Sequence, residues 1–371
     1  MMQPLFTALA RSLPATVPFV GPEAIERRTG VTFKARLGAN ESVFGPSPRV
    51  IAAMAEAAAQ SWAYGDPEVH ELRAAIAAFH GLDPSNIMVG EGIDGLLGLL
   101  VRLTVEPGDT VVTSKGAYPT FAFHVAGHGG LLDTVPYRDD REDIDALIER
   151  ARDVRPKLLY FANPDNPTGS WHEASEVERL IEATPPETIL VLDEAYSDFA
   201  PASALPSVTL LRPNLLRFRT FSKAYGMAGV RVGYAIGEPD AIVQFDKVRN
   251  HFGLSRMAQA GALAALADQS YLQETVARVT RGRERLAAIA AAAGLRPLPS
   301  ATNFVAIGCG GDGAYARGLL DAVIRRGVFI RMPGVAPLDR LIRVTVGRDA
   351  DLDLFETVLT DALTEVGPPR G

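Results

Sequence analysis

The sequence predicts an α/β protein with a three-layer α/β/α large domain on a mostly parallel sheet, together with a smaller α+β domain. Short, almost continuously apolar runs, such as residues 157–161 and 188–192, are separated by helical patterns such as residues 174–183. Strands of this kind belong to parallel sheets that helices cover on both faces. After about residue 240, long helical patterns precede short strands, which indicates the smaller domain.

The chain divides into three predicted parts. An irregular, proline-rich arm over residues 1–40 joins the small domain, the large domain covers residues 41–240, and the small C-terminal domain covers residues 241–371. Asp66-Pro67-Glu68 predicts a helix start, with Asp as N-cap and Pro as the first helical residue, and Gly81 ends that helix. Further helices are predicted at residues 48–60, 96–104, 174–183, 241–250, 255–267 and 271–293, and strands at residues 86–89, 110–113, 157–161, 188–192, 215–218, 303–307, 328–331 and 341–345.

Composition narrows the class of protein. The 371 residues are 47% hydrophobic, enough for a sizeable core, and the net charge is −7. Lys and Arg are spread along the chain rather than clustered on one face, so no nucleic-acid partner is expected. The apolar runs fall short of the roughly 20 residues of a membrane span, so neither a membrane partner nor a signal peptide is expected. The single cysteine, Cys309, excludes an intrachain disulfide and favours a cytoplasmic location.

Lys223 is the first candidate for chemistry, in the run SKAYGMAGVRVG that follows the predicted strand 215–218. Parallel sheets bind their ligands beyond the carboxyl ends of the strands. Small residues in this run let the backbone pass close to a planar ring, and Arg231 adds a positive charge. A lone lysine after a serine is most often a solvated surface residue. The glycine pattern and the arginine favour instead a lysine that forms an imine.

Polar residues also follow two other predicted strands. Asp193 and Tyr196 come after the strand 188–192. A carboxylate there can pair with a pyridinium nitrogen and make the ring an electron sink, and Tyr196 can reach a phenolic oxygen of the ring. The alternative is an acidic helix cap. After the strand 157–161, the turn NPDNPTG contains Asn166, which the following proline holds extended and which can donate to the same oxygen.

Residues 90–95 match the pattern G-x-G-x-x-G between a strand and a helix, which invites a dinucleotide-binding interpretation. The acidic residue expected about 20 residues further on is missing, because Ser114, Lys115 and Gly116 stand there. Both interpretations share a helix N-terminus whose free N–H groups suit a phosphate.

Arg343 lies between apolar residues in the predicted strand 341–345. A buried guanidinium needs an anionic partner, and its planar fork matches a carboxylate through two parallel hydrogen bonds. The partner can be an internal carboxylate or a bound substrate, and the sequence leaves both possibilities open.

Taken in order, these five segments resemble the fold-type I pyridoxal-phosphate (PLP) enzymes, and most of all the histidinol-phosphate aminotransferase branch of the class I/II aminotransferases. The resemblance extends from residue 40 to residue 347 and rests on SKxxGMAGxRxG, NPTG and DEAY. It implies a PLP cofactor held as a Schiff base on Lys223, with an amino donor and a 2-oxo acid as substrates. It also implies ping-pong order and a homodimer with shared active sites.

The resemblance implies a role for each candidate residue. Lys223, Asp193 and Tyr196 are catalytic, and Lys223 shuttles the proton between substrate and cofactor. The cofactor contacts are Gly92, Ile93, Asp94, Ser222 and Arg231 at the phosphate, Tyr118 stacked on the ring, Asp193 at the ring nitrogen, Asn166 and Tyr196 at the phenolic oxygen, and Tyr64 at the phosphate of the neighbouring subunit's cofactor. The substrate contacts are Asn40 and Arg343 at an α-carboxylate and Arg331 at a distal phosphate.

Two positions depart from the family pattern. Ile93 stands where the family has a small or polar residue, so only its backbone donor remains. Phe19 stands where a tyrosine lies near the substrate, and it cannot donate to a phosphate, whereas Arg331 matches. The predicted reaction is therefore transamination of histidinol phosphate with 2-oxoglutarate. An aromatic, phenylalanine-type amino-acid aminotransferase and a threonine-phosphate decarboxylase-like enzyme stay open as alternatives.

Two further hypotheses come from other classes of protein. A PLP-binding transcription regulator carries a winged helix before the cofactor motifs, which here begin by residue 40. A nicotinamide oxidoreductase, suggested by residues 90–95, gives Lys223 no role. No metal site is expected, because His124, His128, His172 and His251 show no metal-ligand spacing.

Overall fold

The structure is a computed structural model that describes residues 5–15 and 19–369. The parts of the predicted arm at residues 1–4 and 16–18, and the last two residues of the chain, lie outside the described residues. The helices are α1 (Ala8–Ser12), α2 (Pro22–Thr29), α3 (Pro48–Ala58), α4 (His70–His80), α5 (Gly92–Thr104), α6 (Pro119–Gly127), α7 (Ile144–Val154), α8 (Ala174–Ala183), α9 (Pro239–Ile242), α10 (Arg256–Ala267), α11 (Gln269–Ala292), α12 (Gly313–Arg325) and α13 (Asp349–Val366). The strands are β1 (Ala35–Arg36), β2 (Ile87–Gly90), β3 (Thr110–Ser114), β4 (Leu131–Val135), β5 (Leu158–Ala162), β6 (Ile189–Asp193), β7 (Leu215–Thr220), β8 (Gly233–Ile236), β9 (Arg296–Pro297), β10 (Phe304–Gly308), β11 (Val328–Phe329) and β12 (Leu341–Thr345).

A seven-stranded sheet with the order β2-β8-β7-β6-β5-β3-β4 forms the centre of the protein. Its neighbouring strands are parallel except at β8, which is antiparallel to both β7 and β2. Because β5, β6 and β7 are parallel, their carboxyl ends meet at one edge, where Ala162 pairs with Asp193. The segments after these three strands therefore lie together.

Helices cover both faces of this sheet. On one face, Leu96 of α5 and Phe121 of α6 pack with Tyr160 and Phe218. On the other face, α7 and α8 pack against residues such as Leu192. These two helical layers confirm the three-layer α/β/α class that the uninterrupted apolar strands predict.

A second, antiparallel sheet has the order β12-β10-β9, and β1 pairs in parallel with β11. The β1–β11 pairing places part of the N-terminal arm against the C-terminal residues. Helix α10 packs mainly on α3 and α4, so contacts cross the proposed boundary near residue 240. The division into 1–40, 41–240 and 241–371 therefore stays a proposal.

Several boundaries differ from the sequence prediction. The predicted helix start at Asp66 is wrong: α4 begins only at His70, with Val69 as its N-cap, because Val69 has a φ of 52° and breaks the helical path. The Asp66 carboxylate still accepts from the N–H of His70 at 2.8 Å. The predicted helix 241–250 is wrong: α9 ends at Ile242, and a 3-10 helix follows, which places the buried Ile242 and Phe245 on one side. The arm is not irregular throughout, since α2 occupies part of it.

Within the described ranges, no helix is both long and apolar enough to cross a bilayer.

Candidate active site

Asp193, the last residue of β6, lies buried where the carboxyl ends of the parallel strands meet. Its Oδ2 accepts from the Tyr160 hydroxyl at 2.6 Å, and its Oδ1 accepts from the N–H of Ala195 at 2.9 Å. Burial raises the pKa of Asp193, and the two hydrogen bonds limit the rise to about 6. In the described residues, no lysine or arginine nitrogen lies within 4.0 Å of this carboxylate. The carboxylate can therefore pair with a cationic group of a ligand.

Lys223 follows β7 at the neighbouring strand end. Its Nζ donates to the backbone oxygen of Asn40 at 3.3 Å and lies 5.7 Å from the centroid of the Tyr196 ring. Burial, and then the positive charges of Arg343 and Arg231, lower the pKa of Lys223 to about 8. A larger fraction of this amine than of an ordinary lysine is therefore neutral near neutral pH, and imine formation and proton removal both require the neutral amine.

Asn40 and Tyr196 form a hydrogen-bonded group beside this lysine. Asn40 Nδ2 donates to the Tyr196 hydroxyl at 2.8 Å, and Thr345 Oγ1 donates to Asn40 Oδ1 at 3.2 Å. Asn40 has a φ of 55°, and its backbone oxygen also accepts from Asn303 Nδ2 at 2.9 Å. Burial raises the pKa of Tyr196, so its phenol is neutral at physiological pH and can donate to a ligand.

Arg343 is a half-buried guanidinium that pairs with no carboxylate of the described residues. Its Nη1 donates to Asn166 Oδ1, its Nη2 donates to the backbone oxygen of Gly38 at 3.3 Å, and its Nε has no acceptor. No carboxylate of the described residues lies within 4.0 Å of it. The internal salt bridge that the sequence left open is therefore not formed by the described residues, and the guanidinium can pair with a bound anion. Asn166 Nδ2 has no acceptor among the residues that the structure describes, so it can donate to a ligand.

Arg331 lies beside Arg343, because two backbone hydrogen bonds join the residues in an isolated antiparallel bridge. Arg331 Nη1 donates to the backbone oxygen of Val20 at 3.0 Å, and the Phe19 ring centroid lies 4.3 Å from the Arg331 guanidinium carbon. Burial, and then the charge of Arg343, lower the pKa of Arg331 to about 10. Two adjacent guanidinium groups favour a dianion or two carboxylates.

A phosphate-sized cradle lies at the start of α5. Gly92 has a φ of 75°, and no side chain caps the first N–H groups of this helix, those of Gly92, Ile93 and Asp94. A Cβ on Gly92 would lie 2.6 Å from Arg231 Nη2, the movable end of a side chain, so it is mainly the φ of 75° that favours glycine here. Arg231 Nη1 reaches Ser222 Oγ at 3.5 Å. The N–H groups of a helix start, a hydroxyl and a guanidinium together suit a phosphate.

Tyr118 adjoins this cradle and donates to Asp94 Oδ1 at 2.7 Å. The Ile93 side chain is buried in the apolar layer under α5, so this residue offers a ligand only its backbone. The fold leaves Tyr64 on the surface, where it is 75% exposed and stacks on Phe252 at 4.4 Å between centroids.

The residues present fit PLP. A buried carboxylate suits the ring nitrogen, a partly neutral lysine suits the aldehyde, and the cradle at Gly92 suits the phosphate. The Arg343 guanidinium is available to bind a substrate anion, because its Nε has no hydrogen-bond partner among the described residues.

Sequence reasoning missed Tyr160 and Asn303, which support Asp193 and Asn40. Tyr160 lies inside the apolar run LLYFA, which is typical of a core residue. Its contact with Asp193 follows only from the strand register. Asn303 carries a weak signal, as a polar residue directly before a buried strand.

Comparisons with known proteins agree with this chemistry. The model of the family "Aminotransferase class I and II" matches residues 33–356. The histidinol-phosphate aminotransferase of Anaeromyxobacter sp. (strain Fw109-5) is 38% identical over 348 residues, which cover 93% of this chain and 95% of that protein. Histidinol-phosphate aminotransferase 1 of Mesorhizobium japonicum is also 38% identical, over 89% of this chain and 90% of the relative.

Solved structures give the same result. The histidinol-phosphate aminotransferase from Sinorhizobium meliloti, in complex with pyridoxal-5'-phosphate, is 52% identical and superposes with a TM-score of 0.96 over 99% of both chains. A double mutant of the Thermus thermophilus aspartate aminotransferase, with 22% identity and a TM-score of 0.79, shares the fold.

Proposed function

This chain belongs to the aminotransferases of class I and II, and we propose that it uses PLP to transfer the amino group of histidinol phosphate to 2-oxoglutarate. The substrate assignment rests on the paired residues Arg331 and Arg343, which form no ion pair with a carboxylate of the described residues. A phosphate dianion suits two guanidinium groups, and the two carboxylates of 2-oxoglutarate can take one each. One site thereby serves both half-reactions of a ping-pong cycle.

The reaction rests on three side chains. When bound, the cofactor supplies a conjugated ring that accepts the electron pair left on the substrate α-carbon. Lys223 Nζ, whose pKa is about 8, removes the α-proton and returns it on the cofactor side. Asp193 holds a proton on the ring nitrogen, and the neutral Tyr196 hydroxyl donates to the phenolic oxygen together with Asn166.

The remaining contacts bind and orient. Gly92, Ile93 and Asp94 donate backbone N–H groups to the cofactor phosphate, and Ser222 and Arg231 add side-chain contacts. Tyr118 covers the ring and is anchored through Asp94. Asn40 orients Tyr196 and accepts from Lys223, while Arg343 and Arg331 hold the substrate anions.

We further propose a homodimer in which Tyr64 completes the phosphate site of the neighbouring subunit. Its support is the exposed aromatic surface formed by Tyr64, Trp62 and Phe252, which are 75%, 83% and 41% exposed. A surface of this kind is typical of a protein–protein contact. A cytoplasmic location also stays a prediction, made from the single, buried Cys309.

One observation favours a second substrate class. The Phe19 ring covers Arg331, and an aromatic wall of this kind also suits a phenylalanine-type amino donor. The threonine-phosphate decarboxylase-like alternative shares the cofactor residues and differs in releasing carbon dioxide.

The first prediction tests the substrate. PLP-loaded protein with 2-oxoglutarate is expected to form glutamate from histidinol phosphate faster than from phenylalanine, without carbon dioxide release. Arg331→Gln is expected to lower kcat/KM for histidinol phosphate by about 10²-fold, about 3 kcal/mol, because it removes one partner of a part-buried charged contact. The same substitution should affect phenylalanine far less.

Equal losses for the two donors would contradict the role of Arg331. A preference for phenylalanine would favour the aromatic class, and carbon dioxide release would favour the decarboxylase. Lys223→Ala is the control, and it should abolish turnover of every donor.

A further inference from the structure

Tyr160 is a buried phenol in the middle of β5 whose one hydrogen bond among the described residues goes to Asp193. Its exposed fraction is 0%, and its hydroxyl donates to Asp193 Oδ2 at 2.6 Å. The ring stacks on Phe121, with centroids 4.5 Å apart and 20° between planes. A phenylalanine would pack against Phe121 equally well, so packing does not explain the hydroxyl.

The strand register brings the two residues together. Tyr160 pairs with Val191, and Ala162 pairs with Asp193, so Tyr160 and Asp193 lie diagonally across two parallel strands on the same face of the sheet. The pairing of two central strands fixes the aim of the hydroxyl, because both strands are buried and cannot slide without disrupting the sheet.

Asp193 depends on this contact. In the described part of the chain it has two donors, the hydroxyl of Tyr160 and the backbone N–H of Ala195, and no cation within 4.0 Å. Among the side chains described, Tyr160 is thus the hydrogen-bond donor to Asp193, and it favours the ionised form because a hydrogen bond to the charged form of an acid stabilises that form.

We propose that Tyr160 is a positioning residue that keeps Asp193 ionised and thereby keeps the shared proton on the nitrogen of the cofactor ring. The inference rests on the proposed PLP function. Without the hydroxyl, the carboxylate becomes a stronger base, and the proton moves from the ring nitrogen to Asp193. A ring that has lost this proton accepts electrons less well. The effect should therefore appear in kcat rather than in KM.

The test compares Tyr160→Phe with Tyr137→Phe in the PLP-loaded enzyme. Tyr137 is the control, because it is a half-buried phenol that donates to a buried carboxylate, Asp165, at 3.0 Å. The first readout is a pH titration of the visible absorption of the bound cofactor. A protonated ring nitrogen lowers the pKa of the Lys223-linked nitrogen, so Tyr160→Phe should raise that pKa by on the order of 0.5–1 unit. Tyr137→Phe should leave it unchanged.

The second readout is whether the substitution changes kcat or KM. Tyr160→Phe should lower kcat about tenfold, the size of one hydrogen bond to a charged group, with KM unchanged. Replacement of Tyr160 by a fluorinated tyrosine, whose hydroxyl is a stronger donor, should shift the titration in the opposite direction. This variant keeps the test decisive if Tyr160→Phe folds poorly.

The outcomes separate the two proposals. If the wild-type protein develops no visible absorption with PLP, the proposed function fails. If the wild type does, but Tyr160→Phe titrates like both the wild type and Tyr137→Phe, the role of Tyr160 is wrong while the proposed function stands.

Discussion

Two neighbouring acids at the end of β6, Asp193 and Glu194, lie in charge clusters that differ in their ion pairing: Glu194 is paired with arginines, and Asp193 forms no ion pair with the described residues. Glu194 forms a closed cluster with Arg217 at 2.6 Å and Arg219 at 2.8 Å. Burial alone would raise the pKa of Glu194, but these two arginines lower it to about 2. Asp193, with Lys223 and Arg343, forms an open cluster in which no such pair closes and the pKa of the acid rises to about 6.

The difference separates structural charge from functional charge. Each charged group of the closed cluster has an ion-pair partner within the fold, because Arg217 and Arg219 share the Glu194 carboxylate, and Arg217 has an exposed fraction of 0%. The open cluster keeps buried and half-buried charged groups that form no ion pair with the described residues, which costs stability unless a ligand supplies the missing charges. Charge alone therefore does not mark a site, whereas buried charge without a partner does.

The largest expected effect comes from a substitution that breaks the closed cluster. Glu194→Gln should lower the free energy of unfolding by about 3–5 kcal/mol, because it leaves two guanidinium groups without their shared carboxylate. Denaturant unfolding measures the loss. Glu187→Gln, which removes an exposed partner of Arg155, is the control and should leave the unfolding midpoint unchanged. Equal midpoints for both variants would remove the distinction between the clusters.

The next effect concerns the open cluster and should appear in binding rather than in stability. Arg343→Gln should raise KM for glutamate about 10²-fold, about 3 kcal/mol, because the substrate carboxylate loses its guanidinium partner. The cofactor-free variant should unfold at the same denaturant concentration as the wild type or a higher one. A loss of stability like that of Glu194→Gln would show that Arg343 is structural.

The smallest effect has the opposite sign to the first. The pKa of Asp193 is about 6 in the fold and close to its ordinary value in the unfolded chain. The stability contributed by its protonated form is fully present below pH about 4 and is lost as the pH rises through about 6. Cofactor-free Asp193→Asn should therefore be more stable than the wild type at pH 8, by on the order of 2–3 kcal/mol. Unfolding curves at pH 4 and pH 8 check this, since the gain should vanish at pH 4.

Much of the fold and the site could be predicted because their signals are local. The apolar runs at β5, β6 and β7 and the polar residues directly after them follow from sequence alone. Strand β4 could not be recognised, because it is an edge strand whose Leu131 and Leu132 are 59% and 41% exposed. The four-residue β8 is defined by its antiparallel pairing with β2 and β7, which lie far apart in the chain. The role of Tyr160 could not be predicted for the same reason, because it depends on the strand register.

The bridge between Arg331 and Arg343 has a practical consequence for handling the protein. Backbone hydrogen bonds pair these two positively charged residues, so their combined positive potential attracts small anions from solution. We therefore expect phosphate or sulfate in a purification buffer to compete with substrate anions for these two arginines, and bulk salt screens partly buried charges of this kind only weakly. Buffers with bulky or monovalent anions are accordingly the appropriate medium for measuring substrate affinities of this protein.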